Sequence, residues 1–312
     1  MRNDEEAVRR RVRWQGVLLI ALSAAGFGAM AIFARIAYAG GADVGGVLLA
    51  RFAAAGLILL TVARLRRLRW PPPRTLALLA AMGGIGYAGM SWCYFAALNH
   101  APASLVALLL YTYPTIVTLL AAALLGERIT PRKLGALLLC GAGTLLVIGP
   151  HPAAGGADAA GILLGLAAAL VYACYIVAGA RITRGVDPLL TTTVVCLAAT
   201  TVLGAAALLR AWAGDAPHFP STAAGWGGVA GVALVSTVVA VMAFFAGLKR
   251  LGASLAAMLS TLEPVVTVAL AGWLLAESLA GWQWLGGALT LAGVLWLAAG
   301  SEAAPSEEPS RA

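Results

Sequence analysis

The stretch YFAALNHAPASLVALLLYTYPTIVTLLAAALLGE, residues 94–127, returns 150 positions later as FFAGLKRLGASLAAMLSTLEPVVTVALAGWLLAE, residues 244–277. The two copies align without a gap. Ala103-Ser104-Leu105 falls on Ala253-Ser254-Leu255, Pro114 on Pro264, and Glu127 on Glu277. About two positions in five are identical, more than shared apolar composition alone would place in one register, so the chain reads as two related halves. Duplicated halves in an apolar chain are a mark of secondary transporters.

Composition points the same way. The 312 residues are 61% hydrophobic and 11% charged, with a mean hydropathy of +0.91. Soluble domains carry about 25% charged residues, so the chain reads as an all-α polytopic membrane protein and not as one or two soluble domains. Its net charge of +8 sits in short clusters between apolar runs, which argues for topology signals and against a nucleic-acid partner. About 20 apolar residues cross a bilayer as helix. Ten such spans are expected, over 14–38, 45–63, 75–98, 103–126, 133–149, 161–180, 188–209, 223–247, 253–276 and 282–300. Gly40-Gly41, Pro71 to Pro73, Pro131, Pro188 and Pro217 to Pro220 punctuate them.

With the N-terminus inside, 18 of the 21 basic residues fall in inside segments. Arg210 alone falls outside, and Arg35 and Arg51 lie within spans. That bias predicts both termini on the cytoplasmic side of a cell inner membrane. Five spans per half is an odd number, so the second half must sit inverted relative to the first. The expected organisation is a first five-helix repeat over 1–150, an inverted second repeat over 151–300, and a disordered tail over 301–312.

Several chemistries find no support. Cys93, Cys140, Cys174 and Cys196 lie in apolar runs without a C-x-x-C spacing, and His100, His151 and His218 fall in expected loops. No metal or other cofactor is therefore expected. A membrane-embedded enzyme would want Ser/His pairs, paired aspartates or H-E-x-x-H within the spans, and the spans hold neither histidine nor aspartate. A passive channel would want a continuous polar stripe, which is not found. There is no Walker motif to couple ATP. Gly84-Ile-Gly86-Tyr-Ala-Gly89 matches G-x-G-x-x-G, but it lies in an apolar run with no strand before it, so helix packing explains it better.

The motif Tyr94-Phe-Ala-Ala-Leu98, Ala103-Ser104, Pro114, Gly126-Glu127-Arg128-Ile129-Thr130 and Gly135, echoed by Phe244-Phe-Ala-Gly-Leu248, Ala253-Ser254, Glu263-Pro264, Glu277 and Gly286, resembles the drug/metabolite transporter superfamily in its EamA-type branch. Arg51-Phe52 adds to the likeness. The resemblance implies a central cavity walled by spans 1, 3, 4, 6, 8 and 9. It also implies export of amino acids, other metabolites or toxic compounds, drugs and organic cations among them. Where the first copy has Gly-Glu-Arg, the second has Ala276-Glu277-Ser278, a loss of charge that suits an outside loop.

Candidate site residues follow from what an apolar span tolerates. Glu263 is the one carboxylate well inside a span, and an isolated charge there suggests a proton carrier or a counter-ion for a cationic group. Proton coupling is expected on that ground. Pro114 and Pro264 sit at matching mid-span positions and read as hinges that free the carbonyls of Leu110 and Ser260 toward a cavity. Tyr87, Ser91 and Tyr94 fall at i, i+4 and i+7 on one face. With Tyr111, Tyr113, Tyr172 and Tyr175 they form an expected wall of aromatic rings with hydroxyl tips, suited to a small amphipathic substrate. Arg51 reads as a structural charge. The middle holds too few basic groups for a highly anionic substrate.

Overall fold

The computed structural model describes residues 2–97, 100–101, 103–148, 158–274 and 281–299. Among these residues every regular element is helical. In chain order they are α1 (Arg2–Gly28), α2 (Met30–Ala39), α3 (Val44–Leu65), α4 (Pro73–Ala81), a π-helix (Met82–Tyr87), α5 (Ala88–Ala97), α6 (Ala103–Leu110), α7 (Tyr113–Leu125), α8 (Pro131–Ile148), α9 (Ala159–Ile182), α10 (Pro188–Trp212), α11 (Ala223–Ala233), a second π-helix (Leu234–Val239), α12 (Ala240–Leu251), α13 (Ala253–Leu259), α14 (Leu262–Leu274) and α15 (Gly281–Ala298). The Pro102 turn, the 149–157 loop, Glu277 and the tail after 299 lie outside the described residues, as does the side chain of Ser104.

Helix ends follow local chemistry. Asp43, Asp158, Asp187 and Thr222 each accept a backbone N–H of the helix they precede, which satisfies one of the orphan donors of a first turn. The Gly161 amide and then the His100 ring hold the Asp158 carboxyl below its ordinary range. Pro73, Pro131 and Pro188 open α4, α8 and α10, where no N–H is missed. Inside the helices Thr118, Thr183, Thr192, Thr193 and Thr200 donate to the carbonyl four residues back, the one partner always available in lipid.

Eight helical runs among the described residues are long and apolar enough to cross a membrane. The expected span 103–126 is not among them; it is two pieces, α6 and α7, separated at Tyr111–Thr112. The expected span 282–300 corresponds to α15, whose first turn carries Trp282, Gln283 and Trp284 and so lowers its hydropathy. Four further runs are interrupted, the one expected over 253–276 at Ser260–Thr261. The run expected over 14–38 turns at Ala29, where the Thr267 hydroxyl takes the Gly28 carbonyl at 3.1 Å, a side-chain insertion of the kind that kinks helices. The runs over 75–98 and 223–247 widen into the two π-helices. In the second of these, Thr237 donates to Val232, five residues back, at 2.9 Å.

Small residues set the packing. A Cβ on Gly143 would lie 2.6 Å from the Gly286 carbonyl, and one on Gly293 would lie 2.8 Å from Cys140 Sγ. Arg132 reaches the Trp296 carbonyl and Gln283 reaches Val147, so α8 and α15 run antiparallel. Gly16 against Leu251 and Gly26 against Ala240 make α1 and α12 antiparallel, and Gly161 against His100 with Gly86 against Tyr175 do the same for α9 and α5. Gly161 and Gly165 thus pack within the chain, whereas Gly227 faces open space.

One end of the bundle gathers the basic segments. Arg13 donates to Leu297, Lys249 to Val186, and Lys133 pairs with Glu127 at 3.4 Å. Gly126, at φ 69°, turns the chain after α7 so that Glu127 accepts the Ala253 amide at 2.8 Å. The opposite end holds the Asp43 amide on His218 and the Ser221 amide on Gly40. Bulky apolar side chains such as Leu163, Leu208, Trp212 and Trp273 are exposed around the outside, a surface suited to lipid and not to water.

The α8–α15 seam yields a contrast. Gly143→Val should lower unfolding stability in detergent by about 3 kcal/mol, because backbone on α15 leaves no room for the added methyls. Gly141→Val, on the same helix with open space around it, should change stability by under about 0.5 kcal/mol. Thermal unfolding of the two purified variants compares them.

Candidate functional site

The two helix breaks create the site. After α6, the Thr112 hydroxyl donates to Leu109 at 2.7 Å; after α13, the Thr261 hydroxyl donates to Met258 at 2.6 Å. Each break comes just before a proline, so Pro114 and Pro264 occupy the first turns of α7 and α14 and not the middle of a continuous helix. Both are buried. The expectation that Pro264 frees the Ser260 carbonyl does not hold. The chain tightens there, and the Glu263 amide donates to that carbonyl at 3.0 Å, an i+3 turn that replaces the lost i+4 bond. The Ser260 hydroxyl donates to Ala256 at 2.9 Å and also lies beside the Tyr113 hydroxyl.

Glu263 stands in the first turn of α14, where unpaired N–H groups and the helix dipole favour a carboxylate. Tyr111 is within hydrogen-bonding range of it. Tyr113, Tyr172, Tyr94 and Tyr87 feel its charge. Among the described residues no cation pairs with it. Glu263, Tyr94, Tyr111 and Tyr172 each keep part of their surface accessible.

The expected aromatic wall is largely one structure. Tyr111 meets Tyr113 at 6.2 Å between ring centres, Tyr113 meets Tyr172 at 4.7 Å, Tyr172 stacks on Tyr175 at 6.1 Å, and Tyr175 meets Tyr87 at 5.7 Å. Phe52 continues the chain from Tyr87 at 5.2 Å, and Phe245 joins Tyr175 at 6.1 Å. Ser91, one turn from Tyr87, is buried on the same face, while Trp92 is turned outward at 69% exposure. Tyr94 packs in a separate small cluster with Ala97, Ala101, Val106 and Leu164. Phe245 and the Gly28 carbonyl were not singled out from the sequence. Phe245 is the partner of Phe95 in the repeat alignment, and that correspondence was the available signal.

Arg51 is buried, at 4% exposure. Its Nη2 donates to the Tyr87 hydroxyl at 3.0 Å and its Nη1 to Met30 Sδ at 2.7 Å, and the guanidinium lies 4.2 Å from the Phe52 ring centre. A separate cavity of 380 Å³ opens at the basic end between Arg69, Pro72, Thr75, Arg184 and Asp187; none of the expected site residues borders it. Among the described residues no three metal-ligating side chains converge.

Comparison with known proteins places this architecture. The EamA-like transporter family matches residues 14–149 and again residues 159–299. The chain belongs to the EamA-like transporter family. An uncharacterized transporter of Archaeoglobus fulgidus is 30% identical over 226 residues, 72% of this chain and 76% of that one. The aromatic amino acid exporter YddG of Ancylobacter novellus is 35% identical over 104 residues, 32% of this chain and 36% of the exporter. A crystal structure at 23% identity shares the fold, with a TM-score of 0.78 over 92% of this chain and 98% of that one. As an EamA-like protein the chain is a transporter and not an enzyme, built of apolar helices and suited to a small-molecule substrate and a lipid bilayer.

Two tyrosines of this EamA-like site separate packing from hydrogen bonding. The Tyr175 hydroxyl is buried without a partner, so Tyr175→Phe should leave stability unchanged or raise it by about 1 kcal/mol. Tyr87→Phe strips Arg51 of its oxygen acceptor and should lower stability by about 2 kcal/mol. Unfolding of both variants in the same detergent measures the difference.

Proposed function

We propose that this chain is a secondary transporter exporting small amphipathic metabolites, amino acids among them, across the inner membrane by alternating access. Two inverted five-helix repeats, residues 1–150 and 151–300, rock about a shared midplane site. Three observations support the inversion. The family match occurs twice along the chain. The helices α8 and α15, which lie 150 residues apart in sequence, pack antiparallel through reciprocal glycine contacts. The α1–α12 pairing is mirrored by α9–α5. On this reading α6 with α7, and α15, complete ten spans, and the basic end that holds Arg13 and Leu297 faces the cytoplasm.

The observation that carries the site is Glu263. It is an unpaired carboxylate at a helix start, within reach of Tyr111 and bordering the tyrosine chain. It takes up and releases a proton as the site alternates, and the breaks before Pro114 and Pro264 are the hinges. Tyrosine rings supply an apolar wall with hydroxyl tips, the chemistry that an aromatic or other amphipathic amino acid requires. The name of the YddG relative supports both the direction and that substrate class.

Counterflow in proteoliposomes tests the reading. Preloaded phenylalanine should accelerate uptake of labelled phenylalanine, which a channel would not do. Transport by the wild type should depend on an imposed pH gradient, and Glu263→Gln should remove that dependence. Wild-type rates without trans-stimulation would rule out a carrier, and full pH dependence in Glu263→Gln would rule out this carboxylate as the proton site.

A further inference from the structure

Among the described residues Arg51 is a cation without an anion. It lies seven residues into α3, buried to 4%. Its contacts among the described residues are the Tyr87 hydroxyl and ring, a thioether and the Phe52 ring, all neutral, and the thioether is a poor acceptor. Its Nε is buried with no partner. No carboxylate among the described residues forms an ion pair with it. An isolated charge at membrane depth is costly, and such groups persist where they serve a ligand or a path. The guanidinium ends on Tyr87, the ring from which the aromatic chain runs through Tyr175 and Tyr172 to Tyr113 and Tyr111. Glu263, which pairs with no cation among the described residues, lies beside Tyr111 at the other end of that run of contacts.

We infer that Arg51 is the anion anchor of the central site. It takes the carboxylate of a zwitterionic substrate whose ammonium group turns toward Glu263 and whose side chain lies along the tyrosines. This rests on the transporter reading above and narrows its substrate to molecules that carry both charges. A planar guanidinium with unspent donors matches a carboxylate. Two opposite charges held apart by neutral aromatic rings select against plain cations and plain anions, each of which would leave one buried charge unanswered.

The test uses three probes in proteoliposome counterflow: phenylalanine, phenethylamine, which lacks the carboxylate, and 3-phenylpropionate, which lacks the ammonium group. Wild type should prefer phenylalanine over both. Arg51→Gln should cut the preference for phenylalanine over phenethylamine by about tenfold or more, the factor that one charge-assisted hydrogen bond supplies. Arg51→Lys, which keeps the charge and loses the fork, should give an intermediate ratio. Glu263→Gln should instead erode the preference over 3-phenylpropionate. A uniform loss for all probes in Arg51→Gln and Arg51→Lys, with the ratios kept, overturns the anchor, as does failure of both variants to fold, since Arg51 is then a structural cation. If wild type carries phenethylamine and not phenylalanine, the amino-acid reading falls and the anchor falls with it. If it carries phenylalanine and the Arg51 ratios do not move, the anchor alone falls.

Discussion

Lipid offers backbone groups no hydrogen bond, so a chain that interrupts its helices at membrane depth must re-satisfy each freed group from within. That constraint organises the molecule. The interruptions at Tyr111–Thr112 and Ser260–Thr261 are each held by a threonine hydroxyl on the carbonyl three residues back. The turn at Ala29 is held by Thr267, and the widened turn at Leu234–Val239 by Thr237. Hydroxyls inside an apolar sequence are therefore the means by which irregular backbone survives there. The irregular backbone in turn presents what a continuous helix cannot, namely a helix start facing inward, with Glu263 on it.

Close approach of helices is the second requirement, because hydrophobicity does not hold helices together where the solvent is itself apolar. Glycines on α8, α15, α1, α9 and the first π-helix let backbones meet at distances that a Cβ would forbid. The reciprocal contacts of Gly143 with Thr290 and of Gly293 with Cys140 use residues 150 apart in each case. One helix face thus packs on its own copy. A self-complementary seam of this kind needs one interface design where two unlike faces would need two.

Much of this was legible in the sequence. The gapless offset of 150 gives α8 and α15 matching bounds, Pro131–Ile148 and Gly281–Ala298, and the basic clusters mark one end of the bundle. The concentration of tyrosines near mid-span was visible too, although helix packing and not spacing joins them: Tyr113 meets Tyr172 and Tyr87 meets Tyr175 across helices, while Tyr94, seven residues from Tyr87, packs elsewhere. Other features were hidden because tertiary contacts decide them. The break in the second copy comes one residue early relative to the offset, since α13 is one residue shorter than α6. Pro264 therefore starts a helix and leaves no free carbonyl at Ser260. The first π-helix lies where Gly83 and Gly84 approach Val195 and Val202, a long-range proximity with no local sequence mark. Arg51 looked structural because a lone basic residue in a span usually is. The identity of its neighbours, all neutral, is a tertiary fact that the sequence does not carry.

The separation of Arg51 from Glu263 is itself informative. In a medium of low dielectric constant, opposite unit charges attract strongly over many ångströms, and a chain free to bring them together would gain by doing so. Arg51 contacts Tyr87 at one end of a run of ring contacts through Tyr175, Tyr172, Tyr113 and Tyr111, and Tyr111 lies beside Glu263. The rings are rigid, and their hydroxyls offer each charge a polar neighbour without neutralising it. An arrangement that only had to be stable would pair the two charges or replace them with apolar groups of equal volume. On the reading proposed above, the cation on α3 and the carboxylate at the start of α14 are complementary to a molecule that carries the opposite pair of charges.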